Sequence, residues 1–454
     1  MNASFSRGSA SGRGVTRTIK EVSALDLKSW LSRRGDPQKF YWADRDGRSE
    51  VATTGCCAIA RTERELLDLY RLIVGDSESN GREEDPDLDP RLYGGLSFDA
   101  FLVAESGGDW PEFGQIYWFL PELEMRRVDD RYFRIEHFWG ARSAFTDPGT
   151  TCINTSTQAQ GPSTTGGICA LSIQELGHQH LLSPSDWADN VNKVLKRIRD
   201  GEVEKVVLSR PSMPVARPLW DGLSCLSIWS ELNPGCYPFY FQPLPEVSFF
   251  GCSPELLFER TERHLKTEAL ASTEGRGESP EEDERLGQAM LHNAKGLREN
   301  LAVETMLERA LSPFVWQQSR QDYDVVKLNG LQHLRKKLSA ELKCGATDWE
   351  LLKALHPTPA VCGYPRKEAF ELIKGLEGFG RGWYCGVIGY MGARRSQMVV
   401  ALRCAKRSAD QQMFYCGAGI VEGSEPSDEW QELDRKLASL GLGKSARVEQ
   451  VSGF

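Results

Sequence analysis

The sequence predicts an α+β protein. Aromatic-rich, alternating runs bounded by turn signals fill much of the chain, and a few strongly amphipathic helical stretches stand apart from them. Size agrees, because 454 residues can bury a large core. No apolar run approaches the roughly 18 residues that would span a bilayer. The net charge is -9, from 55 Lys+Arg against 64 Asp+Glu. That leaves no basic stripe for a phosphate backbone, so nucleic acid is excluded as a partner and small metabolites fit better. Twelve cysteines are scattered with no CxxC pair. They read as buried thiols in a reducing cytoplasm rather than zinc ligands or disulfides.

Residues 1–20 (MNASFSRGSASGRGVTRTIK) are basic, rich in Ser and Gly and free of acids. They read as a disordered tail, with an organelle transit peptide as the alternative. Residues 21–180 form an N-terminal half without visible catalytic motifs. In it KFYWADRDG and VATTGCCAIA make a hairpin around a turn signal, and RTERELLDLYRLIVG has helical spacing. SESNGREEDPDLDP is an acidic loop. RLYGGLSFDAF, GQIYWFLPELEMRRV and RYFRIEHFW are strands, and 141–180, rich in Ser, Thr and Gly, is a flexible connection.

Residues 181–454 carry the chemistry. SPSDWADNVNKVLKRIRDG puts Trp187, Val191, Val194, Leu195 and Ile198 on one helical face, with Ser185 as N-cap and Gly201 as stop. EVEKVVLSR follows as a strand buried on both faces and opened by Lys205. That lysine either snorkels to solvent or, removed from water, serves as a base. VSFFGCSPELLFERTERHLKTEALASTEGRG reads as a hairpin and a third strand. Glu255, inside FFGCSPELLF, is either a turn carboxylate or a buried acid that stays protonated near neutrality.

Residues 280–311 read as a long helical region. Glu299 shares its apolar stripe with Val303, Met306, Leu307 and Ala310, while Glu304 and Glu308 point away. A glutamate on an apolar face needs a metal or a buried ion pair. LKALHPTPAVCGYP is a proline-rich loop in which His356 is structural or functional. RGWYCGVIGYMG and MVVALRCAKR pair as inner strands, and Arg403 emerges from the second as a fork for a carboxylate.

The closing stretch, FYCGAGIVEGSEPSDEWQELDRKLASL, joins a strand to a helix through Gly417-Ala418-Gly419. The glycine amides and the helix start suit an anion, and Glu429 and Glu432 on one side of the helix suit a carboxylate held through a divalent cation. The alternative is a capped strand and a solvated helix. Trp430, Leu433, Leu437 and Leu440 form the helix's buried stripe, with Ser427 as N-cap and Gly441 as stop. Lys436, one turn after Glu432, is an ion-pair partner unless a ligand claims it.

The ordered set KVVLSR, FFGCSPELLF, ALASTEGRG, LRENLAVE, LHPTPAVCGYP, RGWYCGVIGY, ALR and CGAGIVEGSEPSDEWQELDRK resembles the chorismate-utilising enzymes over roughly residues 180–445. The resemblance implies two large packed β-sheets flanked by helices, with the active site in the central cleft and both halves of the chain intertwined in one unit. It also implies a branch of the family. Lys205 stands where anthranilate synthases have glutamine, and Ala271 where aminodeoxychorismate synthases have lysine. HPTPAVCG and EWQELDRK resemble isochorismate synthases, those of menaquinone biosynthesis most closely.

The activity so implied is reversible conversion of chorismate to isochorismate with Mg²⁺, in a monomer without an amidotransferase subunit. By the resemblance, Lys205, in its neutral form, activates water for attack at ring carbon 2 and Glu255 protonates the hydroxyl leaving carbon 4. Glu299, Glu429 and Glu432 hold Mg²⁺ against the ring carboxylate. Gly417, Ala418, Gly419 and Lys436 meet that carboxylate, Arg403 and Tyr384 hold the enolpyruvyl side chain, and Thr273 and His356 complete the substrate site. The alternatives are a salicylate synthase and a chorismate-binding relative with little activity. Two positions depart from the family pattern: Ser272 replaces a glycine and Asn300 a histidine. The added hydroxymethyl is expected to narrow the pocket or force a strained φ.

Overall fold

The computed structural model describes residues 15–79, 85–104, 110–139, 178–214, 220–409 and 411–440. Two antiparallel sheets are built from alternating sections of the chain, which crosses between them repeatedly. The first sheet receives β1 (Val15–Val22), β2 (Lys39–Ala43) and β3 (Ser49–Thr54), with α1 (Leu27–Ser32) between. The second then takes β4 (Ala58–Ala60), β5 (Arg91–Leu96) and β6 (Ile116–Leu120), with α2 (Glu63–Ser79) spanning β4 to β5. The chain returns to the first sheet for β7 (Leu123–Val128), β8 (Arg131–Trp139) and β9 (His178–His180). After α3 (Pro184–Arg199), the same sheet adds β10 (Lys205–Pro214), α4 (Gly222–Leu232), β11 (Tyr237–Leu244) and β12 (Val247–Ser253).

It crosses back for β13 (Leu256–Thr261) and β14 (His264–Gly275). Next come α5 (Pro280–His292) and α6 (Ala294–Leu311), then β15 (Val315–Arg320), β16 (Asp324–Lys327) and β17 (Leu331–Leu342). α7 (Asp348–Leu355) leads to β18 (Gly363–Tyr364) at the edge of the first sheet. α8 (Arg366–Leu376) then precedes β19 (Val387–Gly392) and β20 (Arg395–Val400) in the second. A last crossing places β21 (Cys404–Ser408) and β22 (Gln411–Ile420) in the first sheet, before α9 (Pro426–Ala438).

The first sheet runs β1-β8-β7-β3-β2-β11-β12-β21-β22-β10-β18 with β9 on β10, and the second β15-β17-β14-β13-β20-β19-β5-β6-β4 with β16 on β17. Both ladders join early strands to late ones, β2 to β11 and β5 to β19, so neither sheet exists without both halves of the chain. Aromatic rings fill the space between. Phe40 of the first sheet meets Tyr93 and Phe119 of the second, and Phe119 stacks on Phe241 at 5.8 Å and 10°. Such pairs contribute about 0.5–1.5 kcal/mol each beyond their buried area. α3 and α9 cover the outer face of β10 and β22, and α6 packs on β14 and β17. Among the described residues no helix is long and apolar enough to cross a membrane.

Several sequence expectations are corrected. Residues 15–20 belong to β1, paired with β8 from Val15 to Val22. An edge strand with one wet face has the polar composition of a tail. The proposed connection 141–180 ends earlier, because His178–His180 is a strand on β10; the rest of it, like residues 1–14, lies outside the described residues. The cap of α3 is Ser183, whose hydroxyl accepts from the Asp186 amide, and Pro184 opens the helix, so Ser185 is already inside it. α9 likewise opens at Pro426 with Glu425 at the cap position and no side-chain cap, which puts Ser427 within the helix. Gly441 lies outside the described residues.

Candidate active site

The site forms where the chain passes from one sheet to the other. Ser253-Pro254-Glu255 links β12 to β13, and Ala401-Leu402-Arg403 links β20 to β21. Hydrogen bonds clamp the two crossings: Ser253 Oγ donates to the Val400 carbonyl at 2.6 Å, the Val400 amide to the Glu255 carbonyl at 3.1 Å, and the Cys252 amide to the Arg403 carbonyl at 3.0 Å. Glu255 is thereby fixed among apolar strands at 4% exposure. Burial pushes its pKa up to about 7, although the Lys205 charge and the Thr358 hydroxyl, 3.4 Å away, pull the other way. The raised value leaves a substantial protonated fraction of this carboxyl near neutrality, the direction expected of a buried acid.

Arg403 occupies left-handed backbone, φ +48, and its guanidinium donates to Ser439 Oγ at 2.5 Å and to His333 Nε2 at 3.2 Å. His333 Nδ1 lies 3.2 Å from Thr273 Oγ1, its register partner across β14 and β17. Burial, then the Arg403 and Lys436 charges, hold the imidazole well below its usual pKa, so it is neutral. A guanidinium only donates, so Nε2 must accept and the proton sits on Nδ1, with the Ser272 carbonyl and Thr273 Oγ1 as its acceptors. The Thr273 hydroxyl hydrogen is then free to be donated to a ligand.

The glycine edge follows from ladder geometry. The Val207 amide donates to the Cys362 carbonyl at 2.9 Å and the Ser209 amide to Glu377 Oε1 at 2.7 Å. Arg381 donates to the Val207 carbonyl at 2.6 Å and pairs with Glu377. Val207 and Ser209 therefore turn their backbone groups away from β22, and Val206, Leu208 and Arg210 bond to Ile420, Ala418 and Cys416. Gly417 and Gly419 point to the opposite edge, where pairing with β21 has ended at Tyr415. Lys436 Nζ donates to the Gly417 carbonyl at 2.8 Å on that edge. Two amides are thus available to an anion. Ala418 is corrected: its backbone groups face β10 and its side chain is in the core, so it offers a ligand nothing.

Lys205 Nζ reaches across Gly419 to Glu299 Oε1 at 2.6 Å. A Cβ on Gly419 would stand 2.8 Å from Lys205 Cε, so a side chain there would push the end of the lysine aside from this position. Lys436 pairs with Glu432 at 2.6 Å, one helical turn away. The helical region is broken at Asn293, and Glu304, expected to point outward, is 3% exposed and bonded to Arg320 and Tyr323 from β15 and its following turn. Glu299 keeps partial exposure and faces Lys205.

Glu299 and Glu432 are hard oxygen donors, the type a Mg²⁺ site uses, and Glu429 is buried on the same helix as Glu432. Among the described residues no group of three or more His, Cys, Asp or Glu side chains is gathered for a metal. Each glutamate instead holds an ammonium, Glu299 that of Lys205 and Glu432 that of Lys436. The donor chemistry fits the ion.

Tyr384 is buried and stacked on Tyr415 at 5.1 Å and 19°. Its hydroxyl lies 2.8 Å from where a Gly417 Cβ would stand, so it overhangs the glycine edge. His356 is corrected. Its ring is enclosed, with Nε2 on the Ser97 carbonyl at 3.1 Å and an edge-to-face contact with Phe101, and burial lowers its pKa to about 4. It anchors the proline loop that carries Thr358 beside Glu255.

The Ser272 expectation is met in one of its two forms. The residue sits at a bulge in the β14 ladder with φ +60, but its hydroxymethyl lies against Gly296 of α6. Asn300 is enclosed and donates to the Ala269 and Leu334 carbonyls, tying α6 to β14 and β17. Ser272→Gly is accordingly expected to stabilise the protein by about 1 kcal/mol with kcat/KM unchanged. Thermal melts and steady-state kinetics check this, and a large gain in activity would mean the side chain obstructs the pocket.

Sequence reasoning missed His333, Thr358, Ser209 and Glu377. A histidine in the apolar run LNGLQHL was the available signal for the first; the others act through partners far away in sequence.

The chain matches the family model described as chorismate binding enzyme over residues 6–442. Isochorismate synthase MenF of Pasteurella multocida is 31% identical to it over 92% of this chain and 90% of the relative. The Escherichia coli isochorismate synthase MenF is 32% identical over the same shares. The solved structure of the menaquinone-specific isochorismate synthase MenF from Escherichia coli aligns with a TM-score of 0.78 at 27% identity, covering 95% of each chain.

Proposed function

We propose, on the premise that this chain belongs to the family of chorismate-binding enzymes, that it is an isochorismate synthase converting chorismate to isochorismate. The observation that carries the reading is a buried carboxyl with a raised pKa that feels the charge of a strand-end lysine. Glu255 is a carboxyl that burial leaves substantially protonated near neutrality, while Lys205 opens a strand that packs against the glycine edge. An acid and a base set apart in this way suit addition of water at one ring carbon and loss of a hydroxyl as water at another.

Lys205 would take a proton from water attacking carbon 2, and Glu255 would give one to the hydroxyl leaving carbon 4. The base role requires a neutral Lys205, which its ion pair with Glu299 opposes, so the amine would act once that pair is broken. Glu299 and Glu432, with Glu429 on the same helix as Glu432, would hold Mg²⁺, which would supply positive charge for the ring carboxylate. The Gly417 and Gly419 amides and Lys436 complete the binding of that carboxylate. Arg403, Tyr384 and Thr273 face the rest of the substrate. With water as nucleophile no ammonia source is needed, and we assign the product to menaquinone synthesis by likeness to the Escherichia coli enzyme.

The test is product analysis after incubation with chorismate and Mg²⁺. Isochorismate accumulating without pyruvate is expected; fluorescent salicylate as the main product would make the chain a salicylate synthase, and tight binding without turnover a non-catalytic relative.

Metal dependence gives a second expected result. Glu299→Gln and Glu432→Gln should each weaken Mg²⁺ and chorismate binding together by at least about 10-fold, because each ligand forms part of the other's site. EDTA should stop turnover and Mg²⁺ restore it. Calorimetry showing equal chorismate affinity with and without Mg²⁺ would contradict the bridging arrangement and leave Glu299 and Glu432 as ion-pair partners of the two lysines.

A further inference from the structure

We propose that Ser209 is a further substrate-binding residue: its hydroxyl joins that of Tyr384 above Gly417 to hold an oxygen of the enolpyruvyl side chain. The proposal rests on the reading of the site as a chorismate site. Lys205, Val207 and Ser209 alternate along β10 and share the face that meets Gly417 and Gly419. Ser209 is 2% exposed, yet its hydroxyl has no hydrogen-bond partner among the described residues. Other enclosed polar atoms, Thr53 Oγ1 among them, also lack a partner, but Ser209 Oγ borders the space left by Gly417, where a ligand can supply the missing acceptor.

The direction of the hydroxyl identifies the ligand atom. Register sets Ser209 opposite Gly417, and a Cβ built on that glycine would lie 3.4 Å from Ser209 Oγ and 2.8 Å from the Tyr384 hydroxyl. The missing methyl therefore leaves a space that both hydroxyls border. Burial raises the Tyr384 phenol well above its ordinary pKa, so it remains a donor at any working pH. Each hydroxyl has a hydrogen to donate, and a carboxylate oxygen, which only accepts, can take one from both at once. Ser209 is also held in place for this: its amide is fixed by Glu377, itself locked by Arg381.

The experiment compares full-length wild type and Ser209→Ala by calorimetry with Mg²⁺. The ligands are chorismate and the analogue in which the enolpyruvyl carboxylate is replaced by hydrogen. Ser209→Ala is expected to bind chorismate about 10-fold more weakly, to bind the analogue as wild type does, and to melt no lower than wild type. Equal weakening for both ligands, or a lower melting point with unchanged chorismate affinity, would overturn the proposal and leave Ser209 structural. Wild type that binds chorismate no better than the alanine variant overturns the Ser209 assignment alone. Wild type that fails to bind chorismate at all overturns the chorismate-site reading and the proposal with it.

Discussion

Lys205→Ala is expected to lower kcat by about 10³-fold, within the range that a positioned base contributes, while chorismate and Mg²⁺ still bind. The reason lies in what Lys205 touches. Its amine faces Glu299 across Gly419 and has no described contact with the amides of the glycine edge or with Arg403. Removing it frees Glu299 from its ion pair, so metal binding should hold or tighten even as chemistry stops. Steady-state kinetics with parallel calorimetry separate the two effects. Substantial turnover at pH 7 by the alanine variant would refute the base role, and loss of chorismate affinity equal to the loss of kcat would make Lys205 a binding residue instead.

Glu255→Gln should cost a similar factor, about 10²–10⁴ in kcat, because it keeps the shape and the Thr358 contact but removes the proton donor. The pH profile makes this specific. Glu255 must be protonated to act, and its pKa is raised to about 7, so wild-type kcat/KM in the isochorismate-forming direction should fall as pH rises above 7. The residual activity of Glu255→Gln should lack that limb. Stability runs in the same sense: a carboxyl whose folded pKa is raised stabilises the fold fully below its unfolded pKa, and that contribution is lost as pH rises through about 7. The glutamine variant, with no charge to bury, should therefore melt above wild type at pH 8.5 while being nearly inactive. A wild-type profile that is flat from pH 6 to 8.5, or a glutamine variant with unchanged kinetics, would mean that another group donates the proton.

Local signals made much of this readable from sequence. The amphipathic spacing from Trp187 to Ile198 located α3, Lys205 was placed at the start of β10, and the apolar setting of Glu255 implied a buried acid; all three follow from neighbours within a few residues. What depended on distant partners was misread. A wheel drawn on α6 alone could not see Arg320 and Tyr323 covering Glu304, nor Lys205 turning Glu299 into half of an ion pair. Ala418 looked equivalent to its flanking glycines until the bonds of Val207 and Ser209 to Cys362 and Glu377 fixed which residues of β22 face β10. The relay from Arg403 through His333 to Thr273 exists only because β14 and β17 are paired in one register, across a bulge at Ser272. His356 was the reverse error: a histidine beside proline attracted a functional role that its bond to Ser97 accounts for structurally.

If Lys205 and Glu255 direct water to carbon 2 while the carbon 4 hydroxyl leaves as water, the origin of the product's oxygen shows it most directly. Single-turnover conversion of chorismate in water enriched in oxygen-18, followed by mass spectrometry of the isochorismate, should give one labelled oxygen at carbon 2. Product whose carbon 2 hydroxyl carries the substrate's own unlabelled oxygen would mean that the hydroxyl migrates within the ring, and a solvent-activating base at Lys205 would then have no place in the reaction.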